Sequence, residues 1–247
     1  MDSPFRIFII RREGTRFMNI SKTGFLVFCA ALAAAFLICV NSSPFDTAET
    51  FAYAPYGAVP VIDAGHGGAD GGASSLDGMT ESEINLDIAL RLENLLAFSG
   101  YAPVMTRREE AIAYPDGTDT IKAKKVYDQK ARLALINETP NAVLISIHQN
   151  KYSSSKPFGA QSFYNPREGA QELASAVQQN IKLFDSENSR SEAAISGDIF
   201  LMREAAGPGV LIECAFLSNE RDCALLRTET YRTEIALAAA AAFLNLY

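Results

Sequence analysis

Three short apolar runs constrain this chain more than anything else in it: VPVIDA at residues 59–64, AVLISI at 142–147 and GVLI at 209–212. Each is too short for a helix and almost free of polar residues, as strands buried on both faces are. Helical patterns lie between them. In TESEINLDIALRLENLLAFSG, Ile84, Ile88, Leu92, Leu95 and Leu96 share one face, Thr80 and Glu83 have capping-box spacing, and Gly100 supplies a stop. TIKAKKVYDQKARLALINE reads as a charged, partly amphipathic helix, EGAQELASAVQQNIKLF as another, and residues 229–246 as an alanine-rich closing helix. YAPVMTR and GAQSFYN supply further strands, and DSENSRSEAAISGD reads as a polar loop. Strands alternating with helices predict one α/β domain of three layers, a mostly parallel central sheet flanked by helices, over residues 59–247.

Ahead of that domain the composition changes. Residues 24–40, GFLVFCAALAAAFLICV, hold no charge, and Arg6, Arg11, Arg12, Arg16 and Lys22 precede them. Such a run rises roughly 25 Å as a helix, just enough for a bilayer core. The polar stretch before it is long for a signal peptide, and the small-x-small site Ala52-Tyr53-Ala54 lies far downstream with Pro55 behind it. The pattern therefore favours a retained transmembrane signal anchor over a cleaved leader. Basic residues 1–23 then stay cytoplasmic, residues 41–58 form a linker, and the rest is extracytoplasmic. Phe28 and Ile38 precede Cys29 and Cys39, which argues against lipidation there.

Charge divides along the same line. Residues 41–247 carry 17 basic against 27 acidic side chains, which gives no attraction toward nucleic acid. Of the four cysteines, two fall in the apolar run; Cys214 and Cys223 imply no disulfide framework, although a bridge between them stays open.

The chain has only two histidines, and both fall at carboxyl ends of expected central strands: His66 in VIDAGHGGADGG and His148 in ISIHQN. That edge of an open α/β sheet is where ligands bind. A core or capping histidine is the plain alternative for each. A catalytic zinc site takes three protein ligands and an open position. Glu81, first in the helix after the glycine loop, is the third candidate, with the helix dipole as its alternative explanation. In VLIECAFL, Glu213 stands in an apolar strand, where an unpaired carboxylate costs several kcal/mol to bury. It is either paired, for example with Arg203, or it hangs over a water on a metal as a general base. The glycine loop lacks the Lys-Ser/Thr ending of a phosphate cradle and the spacing of a dinucleotide fingerprint, so no nucleotide is expected. A Cys214 nucleophile with His148 is conceivable, but Cys214 points to the strand face opposite Glu213.

With these residues in view, the sequence from about Val59 to Tyr247 resembles the zinc-dependent N-acetylmuramoyl-L-alanine amidases of bacterial cell walls. VIDAGHGGADGG is similar to that family's first histidine motif, ESEINLDIALRL to its glutamate and helix, ISIHQN to its second histidine motif and VLIECAFLSN to its catalytic glutamate strand. The resemblance implies His66, Glu81 and His148 as ligands of one Zn2+ and Glu213 as the catalytic acid/base. It also implies peptidoglycan as substrate, cut between the lactyl group of N-acetylmuramic acid and L-alanine. Gln149 and Cys214-Ala215 depart from the small or apolar residues common there, and Gln149 is placed to alter the groove beside the metal. Residues 108–120 are too short for the autoinhibitory helical insertion of some relatives. An anchored, monomeric catalytic domain without a wall-binding module, the layout expected here, is similar to that of the germination amidases of spore formers. Two alternatives are a zinc peptidase cutting within the stem peptide and a catalytically silent wall-binding protein on the same fold.

Overall fold

The computed structural model describes residues 57–196 and 199–247, and before them the two-residue antiparallel strands Arg6–Ile7 and Met18–Asn19. The chain divides into the units Met1–Thr50 and Phe51–Tyr247. The anchor expected at residues 24–40 lies outside the described residues, as does most of the expected linker. Among the described residues no helix is long and apolar enough to cross a membrane.

In the second unit the order is β1 (Val59–Ala64), α1 (Glu81–Phe98), β2 (Val104–Met105), α2 (Ile121–Glu138), β3 (Ala142–Asn150), β4 (Gln161–Tyr164), α3 (Ala170–Phe184), β5 (Ala193–Ala194), α4 (Phe200–Glu204), β6 (Gly209–Phe216), α5 (Glu220–Leu226) and α6 (Glu229–Leu246). The strands form one sheet in the order β2-β1-β3-β6-β4-β5. Strands β2, β1, β3 and β6 are parallel, as the intervening helices require, and the three apolar runs are its centre. β4 is antiparallel to β6 and parallel to β5, so the sheet is mixed at one side. The chain between β3 and β4 contains no helix to carry it back to the starting edge, and it returns in the opposite direction.

Helices cover both faces. α1, α3 and α6 pack on the larger core, around Ile62, Ile145, Ile212 and Phe243, while α2 and α4 cover a smaller one around Val61, Leu144, Leu211 and Met202. The buried residues of α1 include Ile84, Ile88, Leu92 and Leu96 at the helical spacing, and Tyr101 N–H returns to Leu96 O at 3.1 Å just past Gly100.

Three local expectations need correction. The Thr80–Glu83 capping box does not form: the Thr80 hydroxyl donates to Glu83 Oε2 (2.5 Å) instead of accepting a backbone N–H. The glycine loop does the capping, with Glu81 N–H donating to Ala73 O (2.9 Å) and Ser82 N–H to Gly71 O (3.2 Å). The polar stretch after α3 is not wholly loop, because Ala193–Ala194 adds the edge strand β5. Cys214 and Cys223 are free, which closes the disulfide left open by the sequence.

Candidate metal centre

Side chains alternate along strands, and register aligns them across the sheet. Counting by two from Val61, Leu144 and Leu211 in the smaller core brings Gly65, His148 and Glu213 to the same face beyond the reach of its buried apolar residues. His148 and Glu213 are register partners, and Gln161 on β4 is the partner of Glu213 on the other side.

The loop after β1 brings the remaining groups in. His66 sits at φ 60, the left-handed region that a side chain enters only when its surroundings hold it there. Arg132 Nη2 donates to His66 O at 2.5 Å, and Arg107 Nη2 and Asn85 Nδ2 both donate to Gly65 O at 3.1 Å. Two glycines make room for the rings. A Cβ on Gly65 would run into the His148 imidazole; one on Gly72 (φ +67) would lie 2.6 Å from Glu81 Oε2 and 2.9 Å from the His66 ring.

Glu81 is the hub. Its Oε1 lies 3.3 Å from His66 Nε2 and 3.1 Å from His148 Nδ1 and accepts the Gln149 N–H at 3.0 Å, while Oε2 accepts the Ala73 N–H at 2.8 Å. The ligand atoms of His66, Glu81 and His148 all lie within 4.8 Å of one another, and the imidazole centroids are 5.0 Å apart. Two imidazoles and one carboxylate suit Zn2+, whose bonds to such atoms are about 2.0–2.2 Å. Burial alone would raise the Glu81 carboxyl, but its bonds to His148 and His66 outweigh that and hold it well below the usual range. Burial likewise pulls His66 down, and Glu81 and Asp70 overcome it to push the imidazole up to about 9.

Glu213 stands apart from this cluster of bonds. Its Oε2 is buried without a hydrogen-bond partner, and Arg203, the ion-pair partner allowed by sequence, reaches Glu204 instead at 2.6 Å. Burial pushes the Glu213 carboxyl up to about 7, with the two imidazoles opposing and Glu81 adding to the rise. Cys214 lies on the opposite face, fully buried in the larger core, where burial drives its thiol pKa upward; it is no nucleophile for His148.

Sequence reasoning missed the supports. Asp70 Oδ2 meets His66 Nδ1 at 3.0 Å, and its Oδ1 takes Lys125 Nζ at 2.8 Å and the Gly72 N–H at 3.2 Å. This leaves Nε2 of His66 facing Glu81. Beneath the rings, the buried Asp63 accepts from Arg132 (2.9 Å), Ser146 (2.7 Å) and Thr106 (2.9 Å). The apolar, charge-free look of VPVI and LISI hid that Asp63 and Ser146 share the ligand face. Gln149 corrects an expectation: its side chain is buried, donates to Asn85 Oδ1 at 3.1 Å and leaves Oε1 unpartnered, so it lines no groove at the metal site. A cavity of about 230 Å3 opens beside the histidines, walled by Lys125, Asp128, Gln129, Phe200 and Met202. A roomier one of about 660 Å3 lies around Gly57, Pro140, Pro208 and Tyr247 and contains none of these chemical groups.

The family profile of N-acetylmuramoyl-L-alanine amidases matches residues 61–245. The chain belongs to this amidase family. The amidase is 34% identical over 180 residues to the germination-specific N-acetylmuramoyl-L-alanine amidase of Bacillus subtilis, covering 73% of this chain and 76% of that one. Its fold is similar to the CwlD amidase of Clostridioides difficile, solved in complex with the GerS lipoprotein, with a TM-score of 0.73, 36% identity, and 76% and 98% of the two chains covered. It also matches the catalytic domain of the CwlV amidase from Bacillus (Paenibacillus) polymyxa, with a TM-score of 0.64, 27% identity, and 77% and 99% covered. Membership in the amidase family fits the mixed α/β sheet and identifies the chain as a cell-wall amidase.

Proposed function

We propose that this protein is a zinc amidohydrolase that cuts the amide between the lactyl group of N-acetylmuramic acid and the L-alanine of the peptidoglycan stem peptide. His66, Glu81 and His148 hold the ion, and Glu213 is the catalytic acid/base. The observation that carries this reading is the meeting of the only two histidines and Glu81 within 4.8 Å, with His148 in register with Glu213, a carboxylate whose Oε2 has no partner. When bound, zinc polarises the amide carbonyl and brings the pKa of water at its open position toward 7. Glu213 takes the proton of the attacking water and returns it to the L-alanine nitrogen as the C–N bond breaks. Asp70, fixed by Lys125, keeps Nε2 of His66 turned toward the ion, the usual task of a carboxylate behind a metal-bound imidazole.

The domain is taken as residues 59–247, outside the membrane and tethered through residues 24–40 and the linker 41–58. The likeness to a germination-specific amidase and to CwlD supports a role on the spore wall, and the GerS complex of CwlD makes a lipoprotein partner part of the same reading. Digestion of purified muropeptides tests the chemistry. Wild-type protein is expected to release intact stem peptide with a free L-alanine amine, and a chelator to stop the reaction. Glu213→Gln should keep its zinc and lose about 10²–10⁴-fold in turnover. Fragments cut inside the stem, or an E213Q variant as fast as wild type, would overturn the assignment.

A further inference from the structure

Arg190 is unusual among the arginines of the second unit. Eight of the ten reach a carboxylate, and among the described residues Arg167 and Arg190 do not. Arg167 bonds the backbone carbonyls of Ala205 and Arg203, past the end of β4 remote from Gln161. Arg190 lies at the end of the catalytic row. Its Nη1 donates to Gln161 Oε1 at 2.9 Å, and Gln161 is the register partner of Glu213.

Everything about Arg190 fixes its guanidinium in place. Nε donates to Phe158 O at 2.7 Å, and Cζ sits 4.5 Å from the centroid of the buried Phe216 ring at the end of β6. Its backbone N–H donates to Asn188 Oδ1 (3.0 Å), and buried Asn188 in turn donates to Ala160 O (2.8 Å) just before β4. Gln161 Nε2 closes the arrangement on Ser191 O at 2.9 Å. Arg190 Nη2 carries no hydrogen bond among the described residues. A fixed positive group with a donor to spare, in a domain that is otherwise strongly acidic, is built to receive an anion from outside.

We infer that Arg190 binds a carboxylate of the stem peptide on the L-alanine side of the scissile amide, and so sets the preference for an acidic peptide. This rests on the amidase reading of the site. Facing residues on neighbouring antiparallel strands stand about 5 Å apart, which puts Gln161 one strand beyond Glu213 and Arg190 beyond Gln161. An extended peptide advances about 3.3–3.6 Å per residue, so a carboxylate on the residue after L-alanine lies within that span of the scissile nitrogen. Held by Phe216 and Gln161 before any ligand arrives, the guanidinium loses little freedom on binding.

Calorimetry with L-alanyl-D-glutamate γ-methylamide, which keeps only the free α-carboxylate on its second residue, and with the α-carboxamide of the same compound tests this on the whole zinc-loaded protein. Wild type should bind the carboxylate peptide roughly ten-fold tighter than the carboxamide. In Arg190→Gln the two affinities should become equal, and Arg190→Lys, which keeps the charge without the planar fork, should fall between. Equal affinities in wild type, no measurable binding of either peptide at millimolar concentration, or a preference surviving in R190Q would each overturn the inference. Muropeptide cleavage by the same preparation reports separately on the amidase reading. Cleavage without carboxylate preference keeps the enzyme and removes this role from Arg190, whereas preference without cleavage does the reverse.

Discussion

Gly65 lies outside the left-handed backbone region, so an alanine there meets no backbone strain. What it meets is the His148 imidazole, which fills the space where a Cβ would stand. Gly65→Ala is therefore expected to leave the melting temperature within a few degrees of wild type and to lower zinc affinity about 10–100-fold, the effect of disturbing the surroundings of a ligand. Competition against a chelator of known affinity measures it. Unchanged affinity would mean that His148 does not bind the ion. At this scale the sequence was legible where chemistry forces a rare residue into an unusual place: two histidines at strand ends and an acid in an apolar strand. It was silent on Asp70 and Arg132, whose importance lies in what they touch across 4 and 66–69 positions of chain. Acids and arginines are common enough in loops and helices that only coordinates single these two out. The five glycines of the loop could be read as room for an imidazole, but not that Gly65 clears His148 rather than His66.

Among the elements, α2 is the one that sequence described least well. It reads as a charged, partly amphipathic helix, and its only buried residues are Arg132 and Ile136, so the residue that matters most in it is one of its charges. Arg132 is the tie. Its side chain is 4% exposed, with Asp63 of β1 at 2.9 Å fully buried and Asp128 one turn earlier in α2 at 2.8 Å. Burial by itself would raise the Asp63 carboxyl; the charges of Arg132 and His148 and the bonds from Ser146 and Arg132 win and lower it. A lowered carboxyl contributes stability that is present above the ordinary aspartate range of about 3.9 and is lost as pH falls through the folded value. Arg132→Leu strands a buried carboxylate and is expected to destabilise the domain by about 3–5 kcal/mol at pH 7. It also reverses the sign: with the largest opposing charge gone, burial outweighs what His148 and Ser146 still supply, the carboxyl rises, and the variant should recover part of its stability as pH falls from 7 to 5. Urea midpoints at the two pH values measure this, and an equal deficit at both would show that Asp63 has found another partner. The central strands and long helices were legible because burial on two faces and helical spacing leave plain patterns. The antiparallel turn at β4 and the two-residue β5 were not, since they follow from a missing crossover helix and from pairing at an edge, neither of which has a residue signature.

For the molecule as a whole the deciding quantity is charge. Residues 41–247 carry 17 basic and 27 acidic side chains, whereas residues 1–40 carry five basic and two acidic. A wall built with anionic polymers and acidic stem peptides repels such a domain at long range, so the field of the molecule and the proposed Arg190 contact act at different distances and in opposite directions. Salt separates them. Surface repulsion between the domain and an extended wall is screened over about 10 Å at 0.1 M ionic strength and about 3 Å at 1 M. Raising salt from 0.02 to 0.2 M is therefore expected to speed cleavage of intact sacculi by detergent-solubilised protein several-fold. A short soluble muropeptide carries few charges and meets no extended field; its rate should fall slightly as the Arg190 pair is screened. In the anchored form proposed above, tethering replaces the missing attraction with a high local concentration. Parallel initial rates on the two substrates, across that salt range, make the comparison. If both substrates respond alike, long-range repulsion has no part in how this amidase meets the wall, and the acidity of the domain needs another explanation.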